Sequence, residues 1–313
     1  MLESAAKPMN PVLTKIVRTL DKPEYFFRPM QLLRRLRRQF EANDGRFETL
    51  TLPWGHDLEV RLNENVGFSI WHLGIYDLVL SEVIWRLLDP GEIAADIGAN
   101  LGYVTSLMAA RTGARGQVFA FEPHPALFGQ LSANAARWTS SRDTGRVNLV
   151  QSAVSDKRGN GVLGVPDSFG SNSGLAFLVD EKNADSAVKT MPVSLRALDE
   201  MFENAPCPLV IKIDTEGNEI DVLKGASRLL REKKIRDIIF EDHVAYPSAP
   251  MTLLTNAGYT LFKIQKGFFG PSLVDASVSK GSAWEPPNYL ATRDAARARA
   301  RMADRGWRVL KEH

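Results

Sequence analysis

Four short apolar segments constrain this chain most: "IAADIG" (residues 93–98), "VFAFEP" (118–123), "VIKID" (210–214) and "IIFED" (238–242). They are too short for helices and apolar almost throughout, so each reads as a strand buried on both faces. Amphipathic stretches alternate with them: "LVLSEVIWRLL" (78–88), "YVTSLMAARTG" (103–113), "PALFGQLSANAARW" (125–138) and "NEIDVLKGASRLLREK" (218–233). Alternating strands and helices predict an α/β chain with a parallel sheet covered on both sides. Such sheets bind ligands at the carboxyl ends of their strands. Asp96, Glu122, Asp214 and Glu241 all fall there.

Outside that pattern the reading is coarser. "RVNLVQSAVS" (146–155) and "YTLFKI" (259–264) read as further strands, "SLRALDEMF" (194–202) and "PMTLLTNAG" (250–258) as helices. The stretch through about residue 186 reads as irregular, with "SFGSNSGLAF" (168–177) suited to a polar lid or an ordinary hairpin. Residues 49–63 predict a hairpin with "WGHD" at its turn. Upstream, residues 1–48 read as helix, with "MQLLRRLRRQF" (30–40) placing Leu32, Leu33, Leu36 and Phe40 on one face. The resulting division is a helical and hairpin extension over 1–73, a core domain over 74–292 and a basic helix over 293–313.

Composition excludes more than it assigns. A formal charge of +2 on 313 residues does not point to nucleic acid. The single cysteine, Cys207, excludes an intramolecular disulfide and fits a reducing compartment. No run approaches the ~20 apolar residues of a membrane span, and the start has no signal-peptide core. The expectation is a cytoplasmic protein, with the terminal helices left open as a homodimer contact.

The turn "DIGANLG" (96–102) asks for a ligand. Gly98 and Gly102 allow a tight turn, and a helix beginning near Tyr103 would aim free N–H groups outward. Dinucleotide sites favour G-x-G-x-x-G; here Asn100 takes the second glycine's place and the last glycine comes early. An acid at Asp96 suits a ligand with a cationic amino group better than a diphosphate. Glu122, ending the next strand, can accept from a ribose diol. The balance favours S-adenosylmethionine over NAD, with an NAD-dependent oxidoreductase as the alternative.

The series "AADIGANLGYVTSLMAA", "VFAFEPHP", "SAVSD", "VIKIDTEGNEIDVLKGA" and "IIFEDH" resembles the FkbM family of S-adenosylmethionine-dependent methyltransferases, over about residues 74–292. "KIDTEGNE" (212–219) is its most specific element. The resemblance implies a seven-stranded Rossmann-like class I methyltransferase sheet with helices on both faces, and methylation of a hydroxyl on a sugar, glycan or secondary metabolite. It implies that Asp96, Gly98, Asn100 and Gly102 hold the methionine part, that Glu122 binds the ribose, that Ser152 and Ala153 meet the adenine edge, and that Asp77 lines the pocket.

In-line methyl transfer to a hydroxyl calls for a general base. Asp214, Glu216, Glu241 and His243 are the candidates, and histidine is the residue type that titrates nearest neutrality. A carboxylate would then orient the imidazole. Two alternatives stay open: Mg2+ or Mn2+ held by Asp214, Glu241 and His243, or acids that only cap helices and position substrate. A non-catalytic adenosyl-binding scaffold, docking a partner through its basic helices, is the remaining reading. Trp54, His56, Trp71 and His72 read as core or edge residues rather than catalytic ones.

Overall fold

Strand β3 (Ile93–Ile97) lies inside an eight-stranded sheet, described here in a computed structural model. The structure describes residues 45–138, 143–166, 176–179, 189–244, 246–278 and 287–311. On one side of β3 run β4 (Gln117–Phe121) and β5 (Arg146–Val150), and on the other β10 (Val210–Ile213) and β11 (Asp237–Glu241), all parallel. Beyond β11 come β14 (Asn288–Thr292), β12 (Thr260–Gly267) and β13 (Gly270–Asp275), each antiparallel to its neighbour. Seven of these strands make the expected Rossmann-like class I methyltransferase sheet, and β13 adds an eighth at its edge.

Alternation along the strands builds two cores. Ala94, Val210 and Ile239 face one side and their neighbours Ala95, Ile211 and Ile238 the other. The first face is covered by α2 (Leu78–Leu87), α3 (Tyr103–Thr112) and α9 (Ala295–Ala303). The second is covered by α6 (Glu219–Lys224), α7 (Ser227–Arg231) and α8 (Ala249–Asn256). From β3 the chain proceeds to β4 and β5 in one direction, and later to β10 and β11 in the other. The crevice where the order reverses lies between β3 and β10, at their carboxyl ends.

The irregular reading before residue 186 is corrected. Strands β6 (Ala153–Val154), β7 (Gly159–Val165), β8 (Phe177–Val179) and β9 (Lys189–Arg196) form a second, four-stranded sheet in the order β6-β9-β7-β8. Glycines in "GNGVLGV" and a proline in "KTMPVSLR" break the alternation, and β7 pairs with β9 across a long connection. "SLRALDEMF" is corrected too: its first three residues belong to β9, and only Leu198–Met201 form a helix, α5.

Both flanking segments share the main core. The hairpin of β1 (Phe47–Thr51) and β2 (Asp57–Arg61) turns at Gly55 and packs on α4 (Pro125–Trp138). There the fully buried Asn134 accepts from Glu59 N–H at 2.8 Å and donates to the carbonyls of Glu59 and Leu101 at 3.1 and 2.9 Å. Helix α1 (Asn65–Leu73) follows. At the other end Glu82 and Arg86, on α2, form a wholly buried ion pair at 2.6 Å. Arg86 donates to the carbonyls of Arg301, Asp304 and Gly306, while Glu82 accepts from the N–H groups of Arg308 and Val309. Arg297 and Arg301 of α9 pair with Asp89, so the basic C-terminal helix is docked on the domain through its arginines. The helix expected over residues 1–48 is corrected at its described end, where Phe47 and Glu48 belong to β1; residues 1–44 lie outside the described residues, as does most of the lid segment. Among the described residues, no helix is long and apolar enough to cross a membrane.

Candidate active site

The glycine turn leaves β3 under tight constraint. Gly98 has φ +79°, and a Cβ there would collide with the Asp214 carbonyl oxygen of the neighbouring strand end. Gly102, at φ +98°, opens α3, where a Cβ would lie 2.7 Å from Leu131 Cδ1. The two glycines therefore permit close chain packing, and Gly98, Ala99, Asn100 and Leu101 line the resulting cleft. Gly102 and Asp96 are not on its surface. Asp96 is fully buried beneath the turn, accepting from Thr105 Oγ1 at 2.6 Å. Its other near neighbour is the Lys212 ammonium, 3.6 Å from Oδ1.

Asn100 adopts φ 51°, and this points its N–H at Glu122 Oε2, 2.9 Å away. The other Glu122 oxygen accepts from His124 N–H at 2.9 Å. Each carboxylate oxygen keeps a further lone pair for a ligand hydroxyl. Burial pushes the Glu122 carboxyl up to about 7, outweighing those two hydrogen bonds. Ser152 and Ala153 line the same cleft, and the buried Ser152 hydroxyl has no hydrogen-bond partner. Val66, Leu127, Leu163 and Leu178 add apolar wall. A diol acceptor, an unsatisfied hydroxyl and flat apolar walls fit a nucleoside.

Across the crevice stands Lys212, which the sequence reading missed. It projects from β10 and is 5% exposed. Its ammonium donates to Gly98 O at 3.1 Å and lies 3.1 Å from Asp214 Oδ2 and 3.6 Å from Asp96 Oδ1. Burial alone would depress it, yet Asp214 and then Asp96 hold it charged, above its ordinary range. One signal was available: a lysine inside an otherwise apolar strand is costly unless paired.

Glu241, the last residue of β11, lines the cofactor-side cleft and an adjoining cavity, as do Tyr76, Leu80, Lys212 and Asp214. Burial, followed by the Asp214 charge, raises its carboxyl above the usual range. His243 Nε2 lies 3.0 Å from Glu241 Oε1, but its side chain is 76% exposed and lines neither cavity. The expected arrangement is therefore inverted: the carboxylate faces the site and the imidazole stands outside it. Glu216, in the left-handed region at φ 52°, lines the cleft from its rim. Partial burial, then Asp214 and Glu241, push it up to about 7. Glu219 caps its own turn, accepting from Thr215 N–H and Gly217 N–H. Asp77 lines the adjoining cavity rather than the cofactor-side cleft, and caps α2 by accepting from Leu80 N–H.

The alternative metal set of Asp214, Glu241 and His243 is not assembled as ligands. Asp214 faces the Lys212 ammonium, and the His243 nitrogen is turned to Glu241. Among the described residues, no group of three His, Cys, Asp or Glu side chains has metal-holding geometry. Trp54, His56 and Trp71 are buried in the core, His56 stacking on Trp138 at 5.4 Å.

Residues 96–261 match the model of the methyltransferase FkbM domain, a span that starts in β3 and ends in β12. The chain belongs to the FkbM methyltransferase family. As a member it is an S-adenosylmethionine-dependent methyltransferase, and the nicotinamide and non-catalytic readings fall away. The FkbM chain is 28% identical over 204 residues to the hexuronic acid methyltransferase AglP of Haloferax volcanii, covering 63% of this chain and 76% of that one. Among solved structures it is similar to an FkbM methyltransferase from Methylobacillus flagellatus (TM-score 0.41, 20% identity). That match covers 64% of this chain, which spans 43% of that protein's length. It is also similar to an S-adenosylmethionine-dependent O-methyltransferase from Thermotoga maritima (TM-score 0.38, 14% identity, 82% and 81% covered).

Proposed function

We propose that this chain methylates a hydroxyl of a sugar or glycan, using Glu241 as general base. The observation that carries the reading is the wall shared by the two cavities, where Glu241, Asp214 and Lys212 face both. The relative named for a hexuronic acid supports a sugar acceptor. S-adenosylmethionine, when bound, supplies a sulfonium-activated methyl group.

The chain's own residues do the rest. Glu122 would accept from the ribose hydroxyls, Ser152 Oγ would gain the partner it lacks, and Gly98–Leu101 would bound the methionine end. Glu241 accepts the acceptor's hydroxyl proton as the oxygen attacks. Lys212 holds Asp214 in place beside it. Alignment within a water-poor cleft supplies much of the remaining rate.

The test is methyl transfer from labelled S-adenosylmethionine to sugar hydroxyls, with binding followed by calorimetry. Cofactor binding with label appearing only on amines or carboxylates overturns the hydroxyl reading. Two further results are expected. Because Glu122 must be a carboxylate to accept from a diol, cofactor affinity falls as pH drops from 8 to 6 through its value of about 7; Glu122→Gln binds weakly and loses that pH dependence. His243→Ala, outside the cavities, lowers kcat less than about tenfold, and a loss near that of Glu241 substitution would return the base to the imidazole.

A further inference from the structure

The cavity adjoining the cofactor cleft measures about 370 Å³ and opens on the same strand ends. Its charge is lopsided. Asp77, Asp214 and Glu241 face it, and Glu216 stands beside them on the cofactor side. Among the described residues only two cations line it, Lys212 and Lys266. Lys212 is already committed to Asp214, Asp96 and the Gly98 carbonyl. His243 lies outside, against Glu241. The half-exposed ring of Tyr76 and the Asn288 amide complete the polar lining.

We infer that this cavity is the acceptor site and that it selects an uncharged polyhydroxy ring over a carboxylated one. The inference rests on the sugar-hydroxyl reading above and narrows it. Carboxylates accept well from hydroxyls, and an aromatic face suits the C–H face of a pyranose. A uronate in the same place meets three carboxylates against two ammonium groups, one of which Asp214 and Asp96 already hold, which costs affinity. The chain thus parts from its hexuronic acid relative in the charge of what it methylates.

The neighbouring groups are shifted in the direction a negative surround requires. Tyr76 is pushed up to about 12, first by burial and then by Asp214, Asp77 and Glu241. Glu216 and Glu241 are both raised as well.

The experiment compares methyl β-D-glucopyranoside with methyl β-D-glucopyranosiduronate, rings that differ only in CH2OH against carboxylate. The expected kcat/KM favours the neutral ring by at least about tenfold at pH 8. The gap narrows at pH 6, where Glu216, raised to about 7, takes up a proton while the uronate stays ionised. Asp77→Asn narrows it as well, and asparagine keeps the helix cap. Equal or better use of the uronate overturns the inference and leaves the hydroxyl reading standing, as does a ratio indifferent to Asp77→Asn. Turnover of neither ring, with S-adenosylmethionine still bound, sinks the sugar reading and this inference with it.

Discussion

Glu241→Gln lowers kcat by roughly 100- to 10,000-fold, the range that a general base supplies, while S-adenosylmethionine affinity changes little. The backbone at this position is fixed on both sides: Phe240 pairs with Ile213 of β10, and Glu241 with Asn288 of β14. The amide preserves shape but cannot take a proton, so the loss falls on kcat rather than on binding. In the unaltered chain, with S-adenosylmethionine saturating so that Glu122 protonation does not enter, kcat/KM for the acceptor declines as pH drops through the raised Glu241 titration, because the protonated carboxyl is no longer a base. Glu241→Gln flattens that acidic limb; Glu216→Gln, at the rim, leaves it in place. Stopped-flow or steady-state rates across pH 5.5–9 read both effects. An acidic limb that survives Glu241→Gln assigns the base elsewhere.

Lys212→Met is expected to cost about 3–5 kcal/mol of stability, the range for removing one partner of a buried ion pair. The methionine fills similar volume, so the loss is electrostatic rather than a cavity effect. Asp96 is the reason. It is fully buried, its carboxyl is raised first by burial, and the Lys212 charge is the largest influence opposing that rise. Without the ammonium Asp96 holds its proton to still higher pH. A folded state that binds a proton the unfolded chain releases loses stability as pH rises. The deficit of Lys212→Met therefore grows from pH 5 to pH 8 and shrinks on acidification. Urea unfolding at several pH values measures it, and a deficit independent of pH would mean that Asp96 is not the group left unpaired. Methyl transfer falls too, because Asp214 loses its fixed partner on the common wall.

The cleft at the end of β3 was legible because its signals are local. A carboxylate at a strand end, a glycine turn and a following helix are contiguous in "DIGANLG", and the fold places them at the crevice where strand order reverses. Glu122 ends the next strand and meets Asn100 N–H for the same topological reason. What that local signal misassigned was the object of close approach. Gly98 makes room for Asp214's backbone and Gly102 for Leu131, contacts between segments far apart in the chain.

The acceptor side was less legible because its parts come from separate places. Tyr76 and Asp77 precede α2, Asp214 follows β10, Glu241 ends β11 and Asn288 opens β14. Which of Glu241 and His243 faces the cavity is settled by strand alternation and the path of the following loop. Residue type alone favours the histidine; the observed exposure favours the carboxylate.

By itself the sequence determined an α/β chain with a buried parallel sheet, a methyltransferase turn and a line of acids at its strand ends. Those follow from periodicity and from residues adjacent in the chain, which act over one or two turns of backbone. Tertiary structure alone decided the second sheet, the eighth strand, the docking of the C-terminal helix on Glu82 and Arg86, and the role of Lys212. The eighth strand is a tight hairpin off β12, with partners 3 to 13 positions apart; the others depend on residues tens to hundreds of positions apart. Burial gives such pairs their strength, because a charge withdrawn from water must find its partner wherever the fold brings one.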